Sequence, residues 1–319
     1  MPDVITLGEA LIDFVPTESG VSLPEVPGFY RRFGGAPANV AVGLAKLGGD
    51  VGFIGKVGED SFGDYVEAKL RDEGVELEGL YRTGKANTSL AFVSLTEAGD
   101  RDFVFYRNPG ADELLRAEEV DPEYVSSAEV LHFGSLSLTK KEVREATYKA
   151  VSYAGESGVT VTMDPNIRTN LWEDESLARE LILDLTEKTD IMKLSEEEVS
   201  FLTGREDLEA GTDRLLELGP ELIIVTLGRN GCFLNHRDSV NRLTGHEVEV
   251  KDTTGAGDGF MAGTLRKLLE GGLNLSELEP EDAIETIRFA NAAAALTTTD
   301  YGATSSFPSY DEVEEFIRK

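Results

Sequence analysis

Asp252-Thr253-Thr254-Gly255-Ala256-Gly257-Asp258 runs directly into the apolar stretch Gly259-Phe260-Met261-Ala262-Gly263-Thr264-Leu265, and this junction decides the fold. Gly255, Ala256 and Gly257 carry almost no side chain, so the backbone there can turn tightly and aim successive N–H groups at one point. The helix that begins at the turn adds the positive end of its dipole. Such a corner is an anion hole, suited to the charge that develops on a phosphoryl group in flight. Asp258 stands at its edge, where an acceptor hydroxyl would lie, and a carboxylate there can take the hydroxyl proton. An Asp at a helix start also serves as an ordinary cap for free amides. The seven-residue pattern as a whole favours the catalytic reading.

Outward from this junction, short β-branched or apolar runs alternate with helical patterns. That alternation predicts βαβ units, a largely parallel sheet and the α/β class. The expected strands are Val4–Leu7, Val51–Ile54, Val130–Phe133, Val159–Met163, Ile191–Lys193 and Leu222–Thr226. The expected helices are Pro37–Leu47, Phe62–Glu73, Lys141–Ser157, Asp258–Leu269 and Pro280–Leu296, with apolar positions every three or four residues. Two stretches break the rhythm. Residues 13–34 are rich in Pro and Gly, and residues 87–107 read as a hairpin of Ser89–Leu95 and Asp102–Tyr106 around Glu97-Ala98-Gly99-Asp100. The division expected is a core of residues 1–12, 35–86 and 108–319, with 13–34 and 87–107 as a small β lid. A lid that excludes water is useful where phosphoryl transfer must outrun hydrolysis, although a plain surface hairpin would read the same way.

Composition removes several classes of function. Sixty acidic against 30 basic residues leave a net charge of −30 and a pI near 4.4. Nucleic acid and anionic membranes are therefore not expected as partners. The acids are dispersed, Glu196-Glu197-Glu198 being the densest cluster, and read as a solvated surface or as adaptation to salt. No apolar run of about 18 residues is present to span a bilayer. The N-terminus passes straight into Val4-Ile5-Thr6-Leu7-Gly8 with no basic segment or cleavage site, so a cytoplasmic location is expected. Cys232 is the only cysteine, which excludes an internal disulfide and a multi-cysteine metal site. Rival nucleotide motifs fail. Gly55-Lys56 continues with Val57 and Gly84-Lys85 with Ala86, so neither makes a Walker loop, and no dinucleotide fingerprint follows the first strand. His236-Arg237-Asp238 mimics a protein-kinase loop, but Leu243 stands where an Asn is needed.

A second motif, Gly34-Gly35-Ala36-Pro37-Ala38-Asn39-Val40-Ala41, places a glycine pair before a helix with Pro in its first turn. A ligand can approach the backbone there, and Asn39 offers both a donor and an acceptor to hydroxyls. By itself the pair is equally a structural turn.

Together the two motifs resemble the signatures of the PfkB carbohydrate kinases, in matching order over nearly the whole chain. The resemblance implies a ribokinase-like three-layer α/β/α fold with a mostly parallel central sheet and a small β lid. It also implies in-line transfer from MgATP to a sugar hydroxyl, with Asp258 as base and Gly255, Ala256 and Gly257 as anion hole. Gly8-Glu9-Ala10-Leu11-Ile12-Asp13-Phe14 looks like the family's first strand, whose Asp, here Asp13, binds sugar hydroxyls alongside Gly34, Gly35 and Asn39. Asp164-Pro165-Asn166-Ile167-Arg168 resembles the mid-chain strand end whose Arg, here Arg168, reaches the substrate and phosphate region. Thr226-Leu227-Gly228-Arg229-Asn230-Gly231 resembles the nucleotide loop, giving Thr226, Gly228 and Gly231, and Asn291 falls at a nucleotide-contacting position. Asp252, Thr254, Gly302 and Ser306 match a monovalent-cation site, which implies K⁺.

The family's Asn-x-x-Glu appears here as Ser195-Glu196-Glu197-Glu198. Glu198 keeps the carboxylate that orders Mg²⁺ waters, whereas Ser195 departs from the pattern. Plant fructokinases carry a similar Lys-x-Ser, here Lys193 to Ser195, which groups both residues with the nucleotide set. Phe105-Tyr106-Arg107-Asn108-Pro109-Gly110-Ala111-Asp112 and His132-Phe133-Gly134-Ser135-Leu136-Ser137 look most like fructokinases, with Phe105 covering the sugar's apolar face and Arg107 reaching it from the lid. A 2-keto-3-deoxygluconate kinase is the rival within the class, because Arg107 and Arg168 would also hold a carboxylate. A non-catalytic sugar-binding regulatory protein is the rival outside it, and the intact anion hole argues against that. Family lids often pair between subunits, which implies a possible homodimer.

Overall fold

The computed structural model describes residues 1–18, 20–95, 101–236 and 239–319. Among these, strands β1 (Val4–Leu7), β4 (Val51–Gly58), β5 (Leu80–Thr83), β8 (Val130–Gly134), β9 (Thr160–Asp164), β10 (Ile191–Ser195), β11 (Leu222–Thr226), β12 (Cys232–His236) and β13 (Ser239–Leu243) form one sheet. Its order is β13-β12-β11-β10-β9-β8-β1-β4-β5. The pairs from β11 to β5 are parallel, and the β11–β12 and β12–β13 pairs are antiparallel, so β12 alone runs against the rest. Strands β2 (Leu11–Pro16), β3 (Phe29–Gly34), β6 (Leu90–Leu95) and β7 (Arg101–Tyr106) form a second, separate sheet in the order β3-β2-β6-β7. Strands β3, β6 and β7 fall in the two stretches that interrupt the α/β rhythm of the sequence, and β2 starts two residues ahead of the first of them, at Leu11. The expected turn at Glu97–Asp100, and Arg237 and Asp238, lie outside the described residues.

Alternation along the central strands divides the core in two. Ile5, Leu131, Met192 and Ile223 point into one apolar layer. Val4 and Val130, and likewise Ile191 and Leu222, point into the layers on the opposite face. Helices cover both faces, which is why every residue of β4 is buried and the parallel strands read as continuous apolar runs. The helix Ala36–Lys46 and the helix Ala256–Glu270 pack together on one face, with Val40, Leu44, Met261 and Leu265 in one cluster. The helix Lys141–Ser157 lies on the other, where Gly158 ends it with a φ of 72°.

Local differences from the sequence reading have physical causes. The opening to Phe14 is two strands, because at Gly8–Ala10 the chain leaves the central sheet and Leu11 begins β2 in the small one. Strand β4 runs on to Gly58 because its second half pairs with β5. Glu196-Glu197-Glu198 opens a helix, Glu196–Thr203, whose N-terminal end favours negative side chains.

The parallel strands end at one edge of the sheet, where Gly134 stands in register with Asp164 and Ser195 with Thr226. Loops carrying function collect at such carboxyl ends.

Only Glu9, Asp112, Glu113, Asp164 and Asp258 are buried among the described acids, so the remainder repel one another across the surface. Ions screen that repulsion, with a Debye length of about 10 Å at 0.1 M. The melting temperature is expected to rise as NaCl goes from low to molar concentration. A melting temperature flat across that range would leave the acids a role in solubility alone.

Candidate active site

Gly255 opens the Ala256–Glu270 helix in the left-handed region, with φ of 78°, and a Cβ there would lie 2.5 Å from that of Ala303. Only glycine meets both conditions. Asp258, the third residue of this helix, does not cap it. Its Oδ2 accepts a hydrogen bond from Asn39 Nδ2 at 2.8 Å, across the contact between the two packed helices. Burial pushes the Asp258 carboxyl up to about 6; the Asn39 hydrogen bond opposes the rise, Asp164 adds to it, and Lys193 and Arg168 oppose it. The carboxyl is therefore held above the ordinary carboxylate range.

Asn39 owes its position to the glycine pair. Gly35 takes a φ of 103° at the helix start, and a Cβ there would meet the Glu9 carbonyl oxygen at 2.3 Å. Asn39 Oδ1 is buried with no hydrogen-bond partner, an acceptor free for a ligand hydroxyl. Gly34 acts by making room. A Cβ there would lie 2.2 Å from Asp13 Oδ2, so the absence of a side chain lets the Asp13 carboxylate occupy that space.

Asp13, Asn39 and Asp258, but not Gly34, line a cavity of about 260 Å³ that also includes Glu9, Gly35, Phe105, Asp164, Asn166, Arg168, Lys193, Thr254, Gly255 and Gly257. A second cavity, of about 730 Å³, is lined by Thr226, Gly228, Gly231, His246, Val248, Val250, Ala256, Phe260, Asn291 and Thr298 among others. Asn291 Nδ2 there donates to Cys232 Sγ at 3.5 Å, and Gly231 is required because a Cβ would fall 2.0 Å from the Leu243 carbonyl. Thr253 and Gly257 line both cavities, so the two meet at the anion hole.

Three placements depart from the sequence reading. Arg107 does not line either cavity: its Nε donates to Asp112 Oδ2 at 2.7 Å, with Nη1 and Nη2 on Thr139 and the Leu136 carbonyl at 3.1 and 3.2 Å. Its side chain is 2% exposed, and the nearby Asp112 and Glu113 carboxylates explain why it turns inward. Lys193 and Ser195 lie apart from the other nucleotide-set residues. Lys193 donates to Asp164 Oδ2 at 2.6 Å, and a Cβ on Gly257 would lie 2.9 Å from its Nζ, so the ammonium stands against the Gly255–Gly257 turn from the side of the smaller cavity. Burial works against that charge, yet Asp164 outweighs it, with Glu198 and Asp258 adding, and Lys193 is held above its ordinary value. Ser195 and Glu198 form a capping box on the Glu196–Thr203 helix. Both line a third cavity, of about 360 Å³, with Asp164, Arg168 and Lys193.

Among the described residues no cluster of three or more His, Cys, Asp or Glu could hold a metal by itself. Mg²⁺ suits this, since it is commonly bound by one or two carboxylates completed by substrate phosphates and water. Asp164 Oδ1 is buried with no hydrogen-bond partner and faces the same third cavity as Glu198, whose Oε1 accepts from the Ile167 amide at 2.7 Å. The two carboxylates fit the ion's water shell. Asp252, Thr254, Gly302 and Ser306 also converge. Asp252 accepts from the Thr254 amide and hydroxyl at 2.9 and 2.6 Å and from the Gly302 amide at 2.9 Å, and Ser306 Oγ donates to the Gly302 and Ala303 carbonyls. Carboxylate, hydroxyl and carbonyl oxygens are the hard donors that an alkali cation takes.

Sequence reasoning passed over Glu9, Asp164 and Asn166 as site residues. The positive φ of Asn166, 46°, is a conformation Asn tolerates and marks the turn that brings Arg168 to the cavity. Asp164 at a strand's carboxyl end was the available signal.

A model described as pfkB family carbohydrate kinase matches residues 1–309. The chain belongs to that family. This pfkB kinase is 45% identical over 321 residues to the "Probable fructokinase-6, chloroplastic" of Arabidopsis thaliana, covering 100% of this chain and 83% of that one. Its fold matches the fructokinase with bound ATP from Xylella fastidiosa with a TM-score of 0.89 at 34% identity, covering 100% and 99% of the two chains. It also matches a double mutant of the Vibrio cholerae O395 fructokinase in its fructose, ADP and potassium ion bound form, with a TM-score of 0.89, 31% identity and 99% and 98% coverage. The fold of this kinase is therefore ribokinase-like, a mostly parallel sheet between helical layers. No helix among its described residues is long and apolar enough to cross a membrane.

Proposed function

We propose that this pfkB kinase transfers the γ-phosphate of MgATP to a hydroxyl of fructose. The observation that carries the reading is the junction of the two cavities at Gly257, with Asp258 on the side of the smaller one. ATP would fill the larger cavity between Gly228 and Asn291, and the sugar the smaller one. The fructokinase names of the relatives support the choice of sugar.

Asn39 orients the Asp258 carboxylate through its 2.8 Å hydrogen bond, and Asp258 takes the proton from the attacking hydroxyl. The amides of the Gly255–Gly257 turn and the helix dipole receive the oxygens of the moving phosphoryl group. Lys193 brings a full positive charge to the same point, and Arg168 adds a second from the strand end. Phe105 closes over the sugar from the small sheet, acting as a lid that keeps water out. Asp164 and Glu198 would hold Mg²⁺ through its waters, and the ion would neutralise and orient the ATP phosphates when bound. Asp252, Thr254, Gly302 and Ser306 would hold K⁺ beside the turn, where it stiffens the anion hole. Activation by millimolar K⁺ but not Na⁺ is expected from that site. The homodimer is part of the same reading, supported by exposed Tyr30, Val104 and Tyr106 on the edge strands of the small sheet.

The test is ADP release over fructose, 2-keto-3-deoxygluconate, ribose, tagatose and adenosine. Fructose is expected to give the highest kcat/KM. Better turnover of 2-keto-3-deoxygluconate would reverse the assignment and make the sugar an acid.

A further inference from the structure

Glu9, like Asp13, is an ionisable side chain of the smaller cavity that the mechanism above does not use. It sits in the Gly8-Glu9-Ala10 crossing between the two sheets and is 4% exposed. Its two carboxylate oxygens have different surroundings. Oε1 accepts from the Ala36 amide at 3.0 Å, the first residue of the helix that carries Asn39. Oε2 is buried and has no hydrogen-bond partner. A buried carboxylate oxygen without a donor is costly, and buried polar groups in folded proteins are nearly always satisfied. A ligand hydroxyl entering the cavity supplies what is missing.

The counter-charge is also in place. Arg107, turned away from the cavity and held by Asp112, acts on Glu9 electrostatically. Burial raises the Glu9 carboxyl and Arg107 opposes the rise, the net position being about 7.

We propose that Glu9 is a specificity-determining residue of the sugar site, its Oε2 accepting the hydrogen of one sugar hydroxyl while its Oε1 holds the Ala36 turn. The inference rests on the sugar reading of the cavity and adds to it a contact that selects among hydroxyl patterns.

Glu9→Gln separates the two oxygens, since the amide oxygen still accepts from Ala36 while the other position becomes a donor. Calorimetric titration of the full-length protein with fructose and with each monodeoxyfructose reads the contact directly. Wild type is expected to bind one deoxyfructose about 10- to 100-fold more weakly than fructose, the range for a hydrogen bond to a charged group. Glu9→Gln should weaken fructose by a similar factor and bind that same deoxyfructose as well as it binds fructose. Its ATP affinity should be little changed and its melting temperature close to wild type. An equal loss for every sugar, or wild-type fructose affinity in Glu9→Gln, would overturn the proposal. Failure of the wild-type protein to bind fructose at all would overturn the fructose reading, and this proposal with it.

Discussion

Asp258→Asn is expected to lower kcat by about 10²- to 10⁴-fold, the usual cost of removing a general base. The ATP KM should be little changed, because Asp258 does not line the larger cavity. Fold and stability should survive, since Asn is nearly isosteric and can keep a hydrogen bond to Asn39. A capping role would predict the reverse, near-normal turnover and a loss of stability, and the geometry already speaks against it, because the carboxylate is held by Asn39. The pH profile carries a second signature. In the proposed mechanism Asp258 acts in its deprotonated form, and its carboxyl is raised to about 6, so kcat/KM should fall as pH drops through that value. A well-folded Asp258→Asn enzyme with normal turnover would sink the mechanism. The phosphoryl transition state is loose, so the proton can leave late and even a weakly basic carboxylate suffices.

Lys193→Met should cost about 10²- to 10³-fold in kcat, the scale for losing one preorganised donor at an anion hole. The ammonium stands 2.9 Å from where a Gly257 Cβ would lie, in a chain whose net charge of −30 gives little help to an incoming phosphate. The substitution also strands Asp164, whose Oδ2 is bound by Lys193 at 2.6 Å with both side chains buried. Breaking a buried pair from one side typically costs about 3–5 kcal/mol, so the single variant should melt early. Lys193→Met combined with Asp164→Asn removes the stranded charge. The pair of substitutions should regain much of the melting temperature while kcat stays low. Recovery of both together would reduce Lys193 to a structural ion pair.

Sequence legibility followed the range of the interactions. The Asp252–Asp258 run was readable because turn, helix start and base lie within a few residues of one another, and the structure places them at one point. The Gly34–Asn39 motif was readable for the same reason, although its link to Asp258 spans 219 residues and needed the fold to appear. Arg107 was misplaced because its segment, read alone, offers a cation to solvent. Only the packed structure shows Asp112, Thr139 and the Leu136 carbonyl claiming it. Ser195 and Glu198 match the local Ser-x-x-Glu capping pattern, so that their structural role was available without any tertiary information. Glu9 gave no local signal at all. A lone Glu beside a glycine has no period or spacing, and its importance lies in an oxygen that burial leaves without a partner. Strand β5 escaped notice because an edge strand of mixed exposure lacks the continuous apolar run that marks a doubly covered strand.

The central claim is that phosphate passes from ATP to fructose at the junction beside Gly257. Phosphorus NMR of wild-type protein with MgATP and fructose tests it in one spectrum. The account predicts a new phosphomonoester signal that grows as the γ-phosphate of ATP disappears and ADP accumulates, with no consumption of ATP when fructose is omitted. Conversion of ATP to ADP and inorganic phosphate without a sugar phosphate would contradict it.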